Sequence, residues 1–395
     1  MATEALLSHV RKSPLLLCSI FLIAVRHTTQ ELADQLAPTL FDEAKKLVAS
    51  SLLVVPQSVE FFQATLVLSL WSTTIGQVPL SIDSWLLTGY ALQQSLASSH
   101  FNRVFQDEET LSVAKVDLDA WYCVGTRRPA LVNQALVDRG LRFLESDMVT
   151  NFEARMAAEV KLYWIIYNNC CGTEVDLEHA KSALQAWQRE WAALFNQPRS
   201  QFLQMGFHFA HLLAYCQSLK STRAVMRKPL LTEMIQVSRS IINLAMDTTD
   251  ERTRHLTDHI YHIITFSALT LCRLVHTYET RLRAANQDID ALDGLVFRLI
   301  GWLKSIGLPC HAAHLLGEAV FAQFKKLRPN FRPEAAPSSR KGWEADPVSL
   351  TLDQQPSSND MSFFYPDFIG SELFDLNDTF WPHWDMMLSD TDMSV

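Results

Sequence analysis

With 395 residues the chain has room for one large or two ordinary domains, and its 48% hydrophobic and 19% charged content is that of a folded protein rather than a disordered one. Only 12 glycines are present, too few for the turns of a many-stranded fold. The formal charge of −9 is unevenly placed: no Lys or Arg follows Lys341, and the eleven acids beyond it exceed the whole of that charge, so residues 1–341 carry +2. A near-neutral body is a poor nucleic-acid binder, because phosphate binding needs clustered cations. The seven cysteines form no C-x-x-C unit and are scattered among apolar residues, the pattern of reduced, buried thiols in an intracellular protein.

Taken in order, residues 3–26 read as a first helix with Pro14 as its start or kink. The apolar run Leu15 to Val25 follows Arg11 and Lys12 as a signal segment would. It is too short to span a bilayer and is followed by no small-x-small cleavage site, so a buried helix is expected. Thr29 caps a second helix, Gln30 to Ala49, interrupted near Pro38. Val59–Trp71 and Ser81–Leu92 then form a helix pair that is apolar on most faces, with Gly76 and Pro79 breaking the chain between them. Helices apolar nearly all round must be packed by others, which marks this pair as the expected centre of an all-α domain. Short helices are expected within Val116–Pro129 and Asn133–Asp147. A strong one follows over Asn151–Asn169, with Phe152, Met156, Val160, Tyr163 and Tyr167 on one face. Asp176–Phe195, Gln201–Ser218, Leu231–Ala245, Arg252–His276, Asp288–Ile306 and Ala312–Leu327 complete a multi-helix body, with no strand pattern and no internal repeat.

From Arg328 the composition changes. Prolines, serines and glutamines mark a linker over residues 328–358, separating a domain of residues 1–327 from a tail of residues 359–395. In that tail bulky side chains return among acids: Phe368, Leu373, Phe374, Leu376, Phe380, Trp381 and Trp384. Acids keep such residues hydrated and uncollapsed, free to order in a partner's groove, so these seven are the candidate partner-binding residues of an acidic, disordered, activation-type tail. Lys325, Lys326, Arg328, Arg332, Arg340 and Lys341 flank the linker as a weak nuclear-import candidate.

Catalytic and metal signals are thin. His255, His259 and His262 are spaced to share one helical face, but the Glu of the zinc-protease helix is missing from His255-Leu-Thr-Asp-His259. Cys310 and His314 lack a visible partner for a metal site. Asp247-Thr-Thr-Asp-Glu251 is not the adjacent acidic pair of a magnesium-diphosphate site, and Thr248 or Thr249 is placed to cap the next helix. No phosphate loop, nucleophile elbow or dinucleotide fingerprint is present. The expectation is therefore a protein that is not an enzyme and holds no catalytic, cofactor or metal residue, with an all-α metalloenzyme using the three histidines as the weaker alternative.

Several stretches carry a family resemblance: Ser13 to His27, Phe62-Gln-Ala-Thr-Leu-Val-Leu-Ser-Leu-Trp71, Ile82-Asp-Ser-Trp-Leu-Leu-Thr-Gly-Tyr-Ala91, and Gly125-Thr-Arg-Arg-Pro129. Over about residues 10–320 the chain resembles the regulatory middle homology region of fungal zinc-cluster transcription factors. Ala158-Glu-Val-Lys-Leu-Tyr163 and Trp187-Gln-Arg-Glu-Trp-Ala-Ala-Leu-Phe195 look most like the PrtT-type regulators of secreted proteases. The resemblance implies a nuclear activator of transcription by RNA polymerase II, with a helical control domain, coactivators as partners of the tail, and DNA contacted through a separate N-terminal six-cysteine zinc cluster. That cluster is absent here, since Met1 falls just before the homology region, and zinc would be its cofactor alone. By comparison with the family, about one helix is expected to be missing near Lys115 and Val116. A second possibility is a non-DNA-binding modulator that dimerises with, or titrates the cofactors of, a full-length relative.

Overall fold

The computed structural model describes residues 2–75, 78–97, 133–141, 150–170, 175–197, 199–219 and 227–332. The 116–129 stretch and all seven tail residues from Phe368 to Trp384 lie outside them. The described chain is helical almost throughout, as its periodicity requires. Its N-terminal part comprises α1 (Ala2–Val10), α2 (Pro14–Ala24), α3 (Gln30–Ser51), α4 (Val59–Leu70) and α5 (Ser84–Ala97). Next come α6 (Gln134–Leu141), α7 (Asn151–Cys170), α8 (Leu177–Glu190), α9 (Ala192–Phe195), α10 (Gln201–Ser218) and α11 (Lys228–Asp247). The last helices are α12 (Asp258–Thr277), α13 (Glu279–Ala284), α14 (Ile289–Lys304) and α15 (Ala312–Leu327). No described helix is long and apolar enough to cross a membrane.

Local chemistry explains the starts. Ser13 accepts the Leu16 N–H at 3.2 Å and Pro14 takes the first helical position, where its missing N–H costs nothing, so proline starts α2 and the 3–26 segment is two helices rather than one. Thr29, Asp176 and Asp288 cap α3, α8 and α14 in the same way. Pro38 does not interrupt α3, which runs through it to Ser51. Leu15, Leu16, Cys18 and Leu22 of α2 are buried, so the apolar run is a packed helix. The break between α4 and α5 holds a feature the sequence pattern had not indicated: two three-residue strands, β1 (Thr73–Ile75) and β2 (Val78–Leu80), paired antiparallel with Thr73 opposite Leu80. Three residues are too few for a period-two pattern to be recognised.

Two main apolar cores result. The smaller joins α1 to α5 around Leu22, Phe61, Phe62, Ala37 and Leu87, and takes Cys310 from the other end of the chain. The larger spans α7 to α15. A third, minor cluster of Leu92, Val137 and Val160 ties α5 and α6 to α7. The centre is α12, buried from Ile260 to Val275 and packed by α10, α11, α14 and α15. The α4–α5 pair is thus not the centre of the whole body: it belongs to the smaller core, and Leu86 is 63% exposed. Phe152 likewise faces outward on α7, whose inward face is Ala158, Leu162, Tyr163 and Ile166. In the larger core Trp187 is the largest fully enclosed side chain; it donates to the Ala158 carbonyl at 2.8 Å and stacks on Phe207 at 5.5 Å.

Candidate functional site

The two main cores meet at a buried polar junction, and this is the most chemically concentrated place among the described residues. A single 3-10 turn, Val25–His27, ends α2 and points Arg26 inward, where it is 1% exposed. Its Nη1 lies 3.4 Å from Asp258 Oδ1, and its Nη2 2.6 Å from His311 Nε2. Asp258 is the first residue of α12, where the helix dipole favours a negative charge. Its Oδ2 accepts both the backbone N–H and the hydroxyl of Ser72, at 2.7 and 2.5 Å. His311 is the N-cap of α15: its Nδ1 accepts the Ala313 N–H at 3.0 Å, and its Nε2 is 2.9 Å from the Arg254 carbonyl.

Backbone contacts close the joint around these side chains. Thr73 pairs with His311 across a single β-bridge, Thr74 donates to the Cys310 carbonyl at 2.9 Å, and Thr73 Oγ1 donates to the Leu22 carbonyl at 2.7 Å. Trp71 Nε1 donates to the Leu256 and His255 carbonyls, at 3.1 and 3.3 Å. The connection between α11 and α12 is therefore held from the N-terminal side by an indole, a guanidinium and a serine. Tyr261 stiffens it from below by donating its hydroxyl to the Thr253 carbonyl.

Electrostatics at the joint are those of burial. Desolvation, with the Arg26 charge beside it, lowers the His311 pKa to about 2, so the ring is neutral. The neutral ring has one N–H to share: Nδ1 faces the Ala313 N–H, and Nε2 lies within hydrogen-bond reach of both the Arg254 carbonyl and the Arg26 guanidinium, whose charge disfavours a second proton. Burial raises the Asp258 carboxyl, and Arg26 and Ser72 pull the other way. His27, whose ring sits 4.6 Å from that of His255, is held down to about 4 by burial and by its cationic neighbours. Although serine, aspartate and histidine converge here, the arrangement is not that of a nucleophile and its base. The Ser72 hydroxyl gives its hydrogen to a carboxylate, and both imidazole nitrogens are engaged by the backbone.

The sequence-predicted candidates come apart on this scaffold. α12 begins at Asp258, so His255 is in a separate 3-10 turn, Thr253–His255, and does not share a helical face with His259 and His262. His259 Nδ1 is 2.7 Å from Thr257 Oγ1, and His262 is buried within the bundle. Among the described residues no three His, Cys, Asp or Glu side chains are grouped to hold a metal ion. His314 faces the Gly307 carbonyl at 3.3 Å while Cys310 is buried in the smaller core. Thr248 and Thr249 do not cap α12; they bond back to the Leu244 and Met246 carbonyls and close the end of α11. Of the basic residues near the linker, Arg328 is taken up by Asp293 at 2.7 Å and Glu279 at 2.5 Å, Lys325 and Lys326 are exposed, and Arg340 and Lys341 lie outside the described residues.

Comparison with known proteins gives this scaffold a family. The middle domain of the family "Transcriptional activator of proteases prtT" matches residues 1–327. A transcriptional regulatory protein of Schizosaccharomyces pombe is 24% identical over 315 residues, covering 75% of this chain and 59% of its own. The transcriptional activator of proteases prtT of Aspergillus niger is 31% identical over 237 residues, covering 55% of this chain and 36% of its own. Its counterpart in Penicillium rubens is 29% identical over the same length and with the same coverage. The chain thus spans 59% of one relative and 36% of the other two. No solved structure matches.

Proposed function

Because the chain belongs to the family of the prtT-type middle domain, as the match over residues 1–327 shows, we propose that it is the control region of a fungal regulator of transcription by RNA polymerase II. That match is the observation that carries the reading. The helical body is the regulatory platform and has a regulatory rather than a catalytic role. DNA contact is made by a zinc cluster outside this sequence, or by a zinc-cluster partner with which the body dimerises. The setting is the nucleus. Residues 359–395 recruit coactivators, with Phe368, Leu373, Phe374, Leu376, Phe380, Trp381 and Trp384 as the side chains that dock, since alternating acids and bulky apolar groups suit a segment that orders on contact.

The test is a reporter assay in a fungal cell, with residues 359–395 fused to an unrelated DNA-binding domain. Activation that is lost when Phe374, Trp381 and Trp384 are replaced by Ala supports the reading. A silent fusion, or one indifferent to the three substitutions, overturns the role of the tail. Capture of a zinc-cluster protein by the full chain would favour contact with DNA through a partner.

A further inference from the structure

A cavity of about 240 Å³ opens beside the polar junction, between α10, the end of α11, the connection leading to α12, and α14. Its floor is apolar: Phe202, Met205, Ile260, Ile264 and the ring of Trp302. Arg199 and Arg252, both exposed, are among its lining residues, and neither forms an ion pair among the described residues. The acid among the lining residues, Asp250, accepts the Arg252 backbone N–H at 2.8 Å and so serves the turn. Arg199 has a left-handed backbone, φ 66°, which is uncommon for a side chain of this size, and its carbonyl is pinned by Arg155 Nη1 at 3.2 Å.

We propose that this cavity is a binding site for a small amphipathic carboxylate, a molecule with one anionic head and a compact aliphatic or aromatic body. The body fills the apolar floor and the head meets Arg199 and Arg252, whose planar guanidinium groups suit a carboxylate. The volume lies below that of sites for drug-sized ligands, which excludes a folded peptide segment and selects a metabolite-sized molecule. The site is placed to matter for control. Leu256 lines the cavity and its carbonyl accepts from Trp71, so a ligand there braces the same connection that joins the two cores. That regulatory meaning rests on the function proposed above; the binding does not.

The test is titration calorimetry and thermal unfolding of the full chain with octanoate and phenylbutyrate. Octanol serves as the uncharged body and acetate as the head alone. At least one of the two carboxylates is expected to bind and raise Tm, octanol to bind about tenfold more weakly, and acetate not at all. In the double variant Arg199→Gln, Arg252→Gln, whose changes are at exposed positions and leave the core untouched, carboxylate affinity is expected to fall about tenfold and octanol affinity to stay as it was. Absence of binding by both carboxylates overturns the proposal, as does equal affinity in the double variant or a preference for octanol. None of these results bears on the reporter assay of the tail, so the two readings fail separately.

Discussion

Acidification is expected to loosen the junction through His311. The ring is fully buried and neutral, with its pKa held at about 2 against an ordinary 6.5. Below pH 6.5 the unfolded chain takes up a proton that the folded chain refuses, so stability is full above that value and falls as the pH drops toward the folded pKa. Each pH unit in that window is worth about 1.4 kcal/mol, which makes the loss from His311 about 2 kcal/mol at about pH 5. His27, His211 and His259 are also shifted down, to about 4, 4 and 3, and they steepen the acid limb. The variant His311→Asn isolates one ring, because asparagine keeps the cap on α15 and does not titrate. Urea unfolding of both proteins at about pH 7.5 and about pH 5 should show the wild type losing about 2 kcal/mol more than the variant. The other histidines are common to both and cancel. Equal losses would mean that the folded ring accepts a proton, and the burial argument would be wrong.

Two further perturbations test the packing. Arg26→Met leaves the Asp258 carboxylate buried with only Ser72 as donor, and should cost about 3–5 kcal/mol; adding Asp258→Asn should cost much less than the sum of the single changes, as measured by a double-mutant cycle in urea, and strict additivity would sink the coupling. Trp187→Ala removes the largest side chain of the main core with its bond to Ala158 and should cost about 3–5 kcal/mol, whereas Trp187→Phe should cost less. Equal unfolding midpoints for the Ala variant and the wild type would refute the enclosure of that indole.

Much of the scaffold is legible in the sequence because helix formation is decided by near neighbours. The caps Thr29, Asp176 and Asp288, the proline that starts α2, and the apolar periods of α10 and α15 all act within a few residues, and α10 and α15 have the bounds their periodicity predicts. The family resemblance is legible for the same reason, in short runs such as Trp187 to Phe195 that keep their local pattern. Which helix is central could not be read this way. α4 and α12 are both rich in apolar residues, and only packing by four other helices makes α12 the centre. Nor could the junction be read: Arg26, ending an apolar run, has the look of a solvated terminus, yet its partners are 232 and 285 residues away. The start of α12 was set by the same joint, since Asp258 is spent on Ser72 and Arg26, and this parted His255 from His259 and His262. Sequence by itself determined an all-helical body, its caps and its acidic, aromatic end, because those follow from local propensity and composition. Tertiary structure alone decided where charge is buried, since burying a charge requires partners that only the folded chain brings within reach.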